Sequence, residues 1–280
     1  MVTPAQEALH ADTKALKQHP RKRLYRARAH SNPLNDASFD VPAHPDEYDW
    51  SRHYPAFYAR QGTDGASEHI SVPVEAQPSN VPASVQTQQP EVKFVDVGCG
   101  FGGLLVKLAP LYPDTLMLGM ELRDKVSEYV RERILALREQ SSPQYSNIAC
   151  LRTNAQKYLI HYFRKGQLTK LFFLFPDPHF KAGTHRRRII SRAQLADYAY
   201  LLAPGGILYT ITDVPELGQW MREKADAHPL FVRMSDEELA ADLAACLLDK
   251  ATEEGQKVAR NSGLTLRSVY RRIEAPASLR

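Results

Sequence analysis

Two carboxylates and a run of glycines are the residues here whose types and spacing suit them for chemistry. Gly98, Gly100, Gly102 and Gly103 punctuate one turn, Glu121 closes an apolar stretch further on, and Asp177 stands between prolines in Phe175-Pro176-Asp177-Pro178-His179-Phe180. Closely spaced glycines let backbone approach a ligand where a Cβ would collide. A carboxylate after the next strand can accept hydrogen bonds from both hydroxyls of a ribose. Together they suit an adenosine-containing cofactor. Pro176 and Pro178 pin the backbone on either side of Asp177, so its charge is presented at a fixed place. The competing reading of Asp177 is a cap on the following turn.

These residues need a scaffold, and the sequence supplies one. Phe94-Val95-Asp96-Val97 reads as a strand running into the glycine turn, a helix opens at Gly103-Leu104-Leu105-Val106, and Leu116-Met117-Leu118-Gly119-Met120 is a second strand ending on Glu121. From Val92 onward, strands at 92–97, 116–121, 147–151, 170–175 and 206–212 alternate with helices at about 103–111, 122–140, 154–163, 191–202 and 215–226. Such alternation predicts an α/β fold, a doubly wound, mostly parallel sheet covered by helices on both faces. Ser235-Asp236-Glu237-Glu238 has the capping-box pattern ahead of a further helix, and Leu266 to Ile273 alternates as a closing strand. Leu171-Phe172-Phe173-Leu174-Phe175 is wholly apolar, so it belongs at the centre of the sheet. Asp177 follows at its carboxyl end, where open sheets bind ligands.

The glycines leave the cofactor open. Gly98, Gly100 and Gly102 fit the GxGxG of S-adenosylmethionine enzymes, while Gly98, Gly100 and Gly103 fit the GxGxxG of dinucleotide enzymes. Leu201-Leu202-Ala203-Pro204-Gly205-Gly206-Ile207-Leu208, a helix end, a Pro-Gly-Gly turn and a strand, favours the former, although a plain helix-to-strand loop reads the same way.

Composition narrows the class. The 280 residues are 43% hydrophobic and 24% charged, ordinary for a soluble globular protein. No apolar run reaches membrane-spanning length, and the polar start Met1-Val2-Thr3-Pro4 lacks a signal core. Cys99, Cys150 and Cys246 are odd in number and far apart, which argues against both a disulfide framework and a zinc site. Cys99 suits its turn by small size rather than as a nucleophile. The net charge is only +4, but it is clustered. Lys14, Lys17, Arg21, Lys22, Arg23, Arg26 and Arg28 form one acid-free run. Lys181, His185, Arg186, Arg187, Arg188 and Arg192 form a second, and Arg267, Arg271 and Arg272 a third. Basic clusters flanking a cofactor site suit a polyanionic substrate such as nucleic acid, although a solvated charged face is the ordinary alternative. Three regions follow: residues 1–60 as a basic arm whose aromatics pack in part on the core, 61–90 as a polar, disordered insertion, and 91–280 as the catalytic domain.

At this point the chain resembles a known family, the catalytic subunit of eukaryotic-type tRNA (guanine-N7-)-methyltransferases, which are class I S-adenosylmethionine-dependent enzymes. The resemblance rests on Asp96-Val97-Gly98-Cys99-Gly100-Phe101-Gly102-Gly103, Phe175-Pro176-Asp177-Pro178-His179-Phe180-Lys181, Tyr209-Thr210-Ile211-Thr212-Asp213-Val214, Arg26-Ala27-Arg28-Ala29-His30-Ser31-Asn32-Pro33 and Thr252-Glu253-Glu254-Gly255. It implies a seven-stranded Rossmann-like sheet and transfer of a methyl group to N7 of a variable-loop guanosine in tRNA. It also implies roles. Gly98 and Gly100 would line the methionine end of S-adenosylmethionine, Glu121 with Arg123 the ribose, and Asn154 and Ala155 the adenine. Leu174 would wall the site, Asp177 would face the guanine, and Thr252 and Glu254 would close over the pocket. Arg21, Lys22, Arg23, Arg26 and Arg28, with Lys181, His185, Arg186, Arg187 and Arg188, would hold the RNA backbone. A WD-repeat non-catalytic subunit is the implied partner, with no metal and no membrane. One departure stands out: Ala182-Gly183-Thr184 replaces a more basic stretch, leaving any phosphate contact at position 184 open. An NAD-dependent oxidoreductase and a non-catalytic RNA-binding module remain the alternatives. Pro20-Arg21-Lys22-Arg23 suggests a nuclear location.

Overall fold

The central strands are apolar on both sides, and the sheet they build is buried on both sides. The computed structural model describes residues 19–25, 38–63, 89–261 and 263–275. Seven strands, β1 (Val92–Val97), β2 (Leu116–Glu121), β3 (Ile148–Arg152), β4 (Leu168–Leu174), β5 (Leu202–Thr212), β6 (Phe231–Arg233) and β7 (Leu266–Arg272), form one sheet. Their spatial order is β3-β2-β1-β4-β5-β7-β6. The first five pair in parallel, and β7 runs antiparallel to both β5 and β6.

Helices cover both faces: α1 (Pro55–Thr63), α2 (Gly103–Leu108), α3 (Asp124–Gln140), α4 (Ala155–Tyr162), α5 (Arg192–Leu201), α6 (Pro215–Asp226), α7 (Asp236–Ala241), α8 (Leu243–Ala251) and α9 (Glu253–Arg260). The period of two in the strands sorts side chains between two cores. Val95, Leu118, Leu171, Phe173 and Leu208 pack with Leu159, Tyr198 and Leu217 of α4, α5 and α6. Phe94, Met117, Phe172, Tyr209 and Ile211 pack with Leu105, Val130 and Leu248 of α2, α3 and α8. Each fully buried side chain of this kind contributes about 1.5–3 kcal/mol.

The topology makes a crevice. From β1 the chain winds outward to β2 and β3, then returns to β4 on the other side of β1. The loops leaving β1 and β4 therefore diverge at their carboxyl ends, which is where such sheets take ligands. The glycine turn leaves β1 and Pro176-Asp177-Pro178 leaves β4.

Differences from the sequence reading are local. Leu168 pairs with Leu202 and Lys170 with Ile207, so Pro204-Gly205-Gly206 lies in a bulge within β5 rather than in a turn ahead of it. Helix α2 stops at Leu108, and β6 has only three residues, too few to show an alternation.

The arm includes a real anchor. Tyr54 is fully buried and its hydroxyl donates to the Met117 carbonyl at 2.8 Å. Trp50 stacks on Phe163 with centroids 5.7 Å apart, and Tyr48 meets Tyr162 edge-on at 5.1 Å. Arg138 donates to the His53 carbonyl at 2.8 Å. The insertion expected at 61–90 falls almost wholly outside the described residues, and the motif from Arg26 to Pro33, with Arg26 and Arg28, falls wholly outside them. No helix among the described residues is long and apolar enough to cross a membrane.

Candidate active site

The crevice opens into a cavity of about 730 Å³, lined by both loops and roofed by residues from the two ends of the chain. Gly98 and Gly100 have φ of +73° and +54°, a backbone region that strains any residue with a Cβ. A Cβ built on either would meet nothing within 4 Å, so the turn presents bare backbone to open space. The turn is tied to the next strand, since the Gly98 and Cys99 amides both donate to the Met120 carbonyl.

Glu121 is buried, and all its acceptor positions are in use. Oε2 accepts from the Gly100 amide at 3.1 Å and from Arg123 Nη2 at 3.0 Å. Oε1 accepts from the Arg123 amide at 2.9 Å and from Arg123 Nε at 3.0 Å. Burial works against the Arg123 charge, but Glu121 and then Asp177 outweigh it and push its pKa up. A ribose hydroxyl reaching Glu121 must share or displace the guanidinium.

Beneath the glycine turn lies Asp96, only 2% exposed, with Oδ2 lacking any hydrogen-bond partner. Burial, then Glu121, then Glu253 push its pKa up to about 8. A buried carboxyl with an orphaned oxygen at the floor of a cavity fits a cationic ligand. The turn's second candidate, Cys99, is no nucleophile. Hydrogen bonding to Cys150 and burial push its thiol far above the free range, and nucleophilic attack needs the thiolate.

The remaining expected positions converge on the same cavity. Asn154 is buried ahead of α4 without capping it, which favours a role for its side chain other than helix termination. Ala155, Leu174 and Asp177 line the wall. Thr252 caps α9, accepting from the Gly255 amide at 3.0 Å, and with Glu254 forms part of the roof. Asp177 sits between Phe175 (φ +52°) and His179 (φ +46°). Left-handed backbone at non-glycine residues costs about 1–3 kcal/mol each and concentrates at functional sites.

Sequence reasoning missed Asp96 as a site residue, and also Tyr25 and Glu253. Lys22 Nζ pairs with Glu253 Oε1 at 2.6 Å and lies 5.0 Å from the Phe101 ring centroid, while Tyr25 meets Tyr129 at 5.5 Å. Arg133 lies 3.6 Å from the same Glu253 oxygen. Lys22, expected on RNA, is thus engaged across the cavity mouth in this structure. The adjacency of Glu253 to Thr252 was the available signal.

The second basic cluster divides. Lys181 and Arg186 are exposed, as are Arg21 and Arg23 of the arm. Arg187 lines the cavity, with a buried Nε that has no hydrogen-bond partner. Arg188 corrects the expectation of a phosphate contact: it is 1% exposed, turned inward onto Glu216 at 2.7 Å and the Pro178 carbonyl at 2.9 Å, and stacked 4.8 Å from the Trp220 ring. His185 Nε2 lies 3.6 Å from the same Glu216 carboxylate. An arginine that ties down the Asp177 loop has no fork left for RNA. Arg271 and Arg267, of the third cluster, likewise bind Glu238 at 2.6 Å and the Ala245 carbonyl at 3.2 Å.

A methyltransferase family described as "Putative methyltransferase" matches residues 90–267. The tRNA (guanine-N(7)-)-methyltransferase of Zea mays is 57% identical over 91% of this chain and 93% of its own length. That of Arabidopsis thaliana is 56% identical (91% and 92%), and that of Bos taurus 50% identical (92% and 90%). Among solved structures, the 16S rRNA methyltransferase KamB is similar with a TM-score of 0.44 at 19% identity, covering 67% of this chain and 90% of that one. With half or more of its residues identical to curated relatives over nine-tenths of its length, the chain belongs to the tRNA (guanine-N(7)-)-methyltransferase family.

Proposed function

We propose that the chain transfers the methyl group of S-adenosylmethionine to N7 of a guanine in tRNA. The observation that carries this reading is the meeting, in one cavity, of the open glycine turn with Glu121 and Asp96 on one side and the strained Asp177 loop on the other. The cofactor supplies an electrophilic methyl group on a positively charged sulfur. The backbone at Gly98 and Gly100 and the Asp96 carboxyl receive its methionine end, Glu121 with Arg123 its ribose, and Asn154 and Ala155 its adenine.

The chain's own work is positioning. N7 of guanine has an in-plane lone pair and no proton, so no base is needed to make the nucleophile. Asp177 accepts hydrogen bonds from the guanine N1–H and exocyclic amine, which orients the ring and favours the positive charge that develops on it. Glu253 and Thr252 above and Leu174 behind exclude water. Arg21, Arg23, Lys181 and Arg186 hold RNA phosphates, contacts that place the substrate without choosing the base. The variable-loop guanosine, a WD-repeat subunit and a nuclear location belong to the same reading through the family resemblance.

The test is methyl transfer from labelled cofactor to tRNA in an extract lacking its own enzyme, scored as N7-methylguanosine after digestion. Asp177→Ala is expected to lower turnover by roughly a hundred-fold or more, the scale of losing a transition-state contact, while S-adenosylhomocysteine affinity stays within a few-fold. Absence of N7-methylguanosine despite cofactor binding refutes the reaction, and equal loss of turnover and cofactor affinity refutes the role of Asp177.

A further inference from the structure

Nine large apolar side chains are exposed among the described residues, and of these only Phe180 lines the cavity. Its ring is 68% exposed at the mouth. The chain reaches it through His179, whose backbone is left-handed (φ +46°) directly after Pro176-Asp177-Pro178. Exposed Lys181 follows, exposed Arg186 lies on the next turn, and Arg187 shares the cavity wall. An aromatic face left in water costs solvation, and here it is set among cations at the entrance to a site built for a nucleotide.

A base in folded RNA must leave its stack to enter a cavity of this kind. Its departure uncovers the face of the neighbouring base, and that face needs a new partner. Aromatic side chains are the usual one, because every base has a π-face and stacking does not depend on sequence. We propose that Phe180 is a stacking platform for the base next to the methylated guanine, closing the gap left when the guanine turns in toward Asp177. The inference rests on the tRNA methyltransferase reading above. It adds a positioning residue that recognises the flanking nucleotide while Asp177 recognises the target.

The experiment compares Phe180→Ala, Phe180→Leu, Phe180→Tyr and Phe180→Trp with the parent protein. Removing one base-stacking contact is expected to raise the KM for tRNA, and the Kd for tRNA of the S-adenosylhomocysteine-bound protein, roughly ten-fold. The kcat at saturating tRNA and the S-adenosylhomocysteine affinity should stay within two-fold. Tyr and Trp should restore tRNA affinity and Leu should not. The indole of Phe180→Trp should also be quenched by tRNA, relative to the parent's own tryptophans. Rescue by Leu, an unchanged KM in Phe180→Ala, loss of cofactor binding in that variant, or an unquenched indole each overturns the proposal. A parent that forms no N7-methylguanosine defeats the functional reading itself. An active parent with silent Phe180 variants defeats only this inference.

Discussion

Asp96→Asn should make the cofactor-free protein more stable above about pH 4, by an amount that grows with pH up to about 8. The Asp96 carboxyl is pushed up to about 8 from an ordinary value of 3.8. The native state therefore holds a proton that the unfolded chain releases, and stability falls as pH rises between those values, by about 1.4 kcal/mol per unit. At pH 7 the interval covered is 7 − 3.8 = 3.2 units, an accumulated loss of about 4 kcal/mol. Asparagine keeps the shape and cannot ionise, so the loss disappears. For a domain of this size each kcal/mol is roughly 2–4 °C of Tm, which puts the gain on the order of 10 °C. Thermal unfolding of both proteins from pH 4 to pH 9 should show curves that coincide at the acid end, diverge through neutrality and run parallel above pH 8. A gap independent of pH, or an Asn variant less stable throughout, refutes the protonated, buried carboxyl. The same carboxyl must ionise to meet a cationic cofactor. Binding should thus release a proton and strengthen with pH toward 8 in the parent, and be flat in Asp96→Asn; calorimetry in two buffers of different ionisation heat reads this directly.

Asp242 accepts from Lys170 Nζ at 2.9 Å, from the Tyr209 hydroxyl and from the Ala244 amide at 2.9 Å, where it caps α8. Burial works against its charge, but Lys170 and Tyr209 outweigh it and hold its pKa below the ordinary carboxylate value, so this contribution is lost as pH falls through the native pKa. Asp242→Ala strands a mostly buried ammonium and should cost about 3–5 kcal/mol by denaturant unfolding, with Asp242→Asn costing less; equal stabilities would refute the ion pair. Arg188→Met should lower kcat through a loosened Asp177 loop while leaving the slope of log K for tRNA against log salt unchanged. A slope reduced by about one would restore Arg188 as a phosphate contact. Arg21→Ala and Arg186→Ala should each reduce that slope without altering S-adenosylhomocysteine affinity, and an unchanged slope would remove them from the RNA surface.

Much of the fold was legible because the sheet is buried on both faces. Phe94 to Val97 and Leu171 to Leu174 leave almost no polar residue to confuse the period, and glycines and prolines mark their carboxyl ends. The site followed from topology, since residues after β1 and β4 of a doubly wound sheet must meet. What escaped reading was whatever depends on contacts between distant segments. Lys22 and Glu253 are ordinary surface residues in sequence, and only the folded chain brings them together over the cavity. Arg188 looked like its neighbours Arg186 and Arg187, and only Glu216 and Trp220, on α6, turn it inward. Asp96 sits in the most recognisable motif of the chain, yet its unusual proton affinity comes from the loss of water around it and then from Glu121 and Glu253.

The Lys22–Tyr25 turn bears on the order of events in a catalytic cycle. It lies over the cavity through Glu253 and Tyr129, and Arg21 and Arg23 project from it into solvent. On the proposed reading, a polyanion gripped by those two guanidiniums also holds the turn in place. On that same reading cofactor exchange is hindered while RNA is bound and eased once it has left, so bound tRNA should slow S-adenosylhomocysteine release in a displacement experiment.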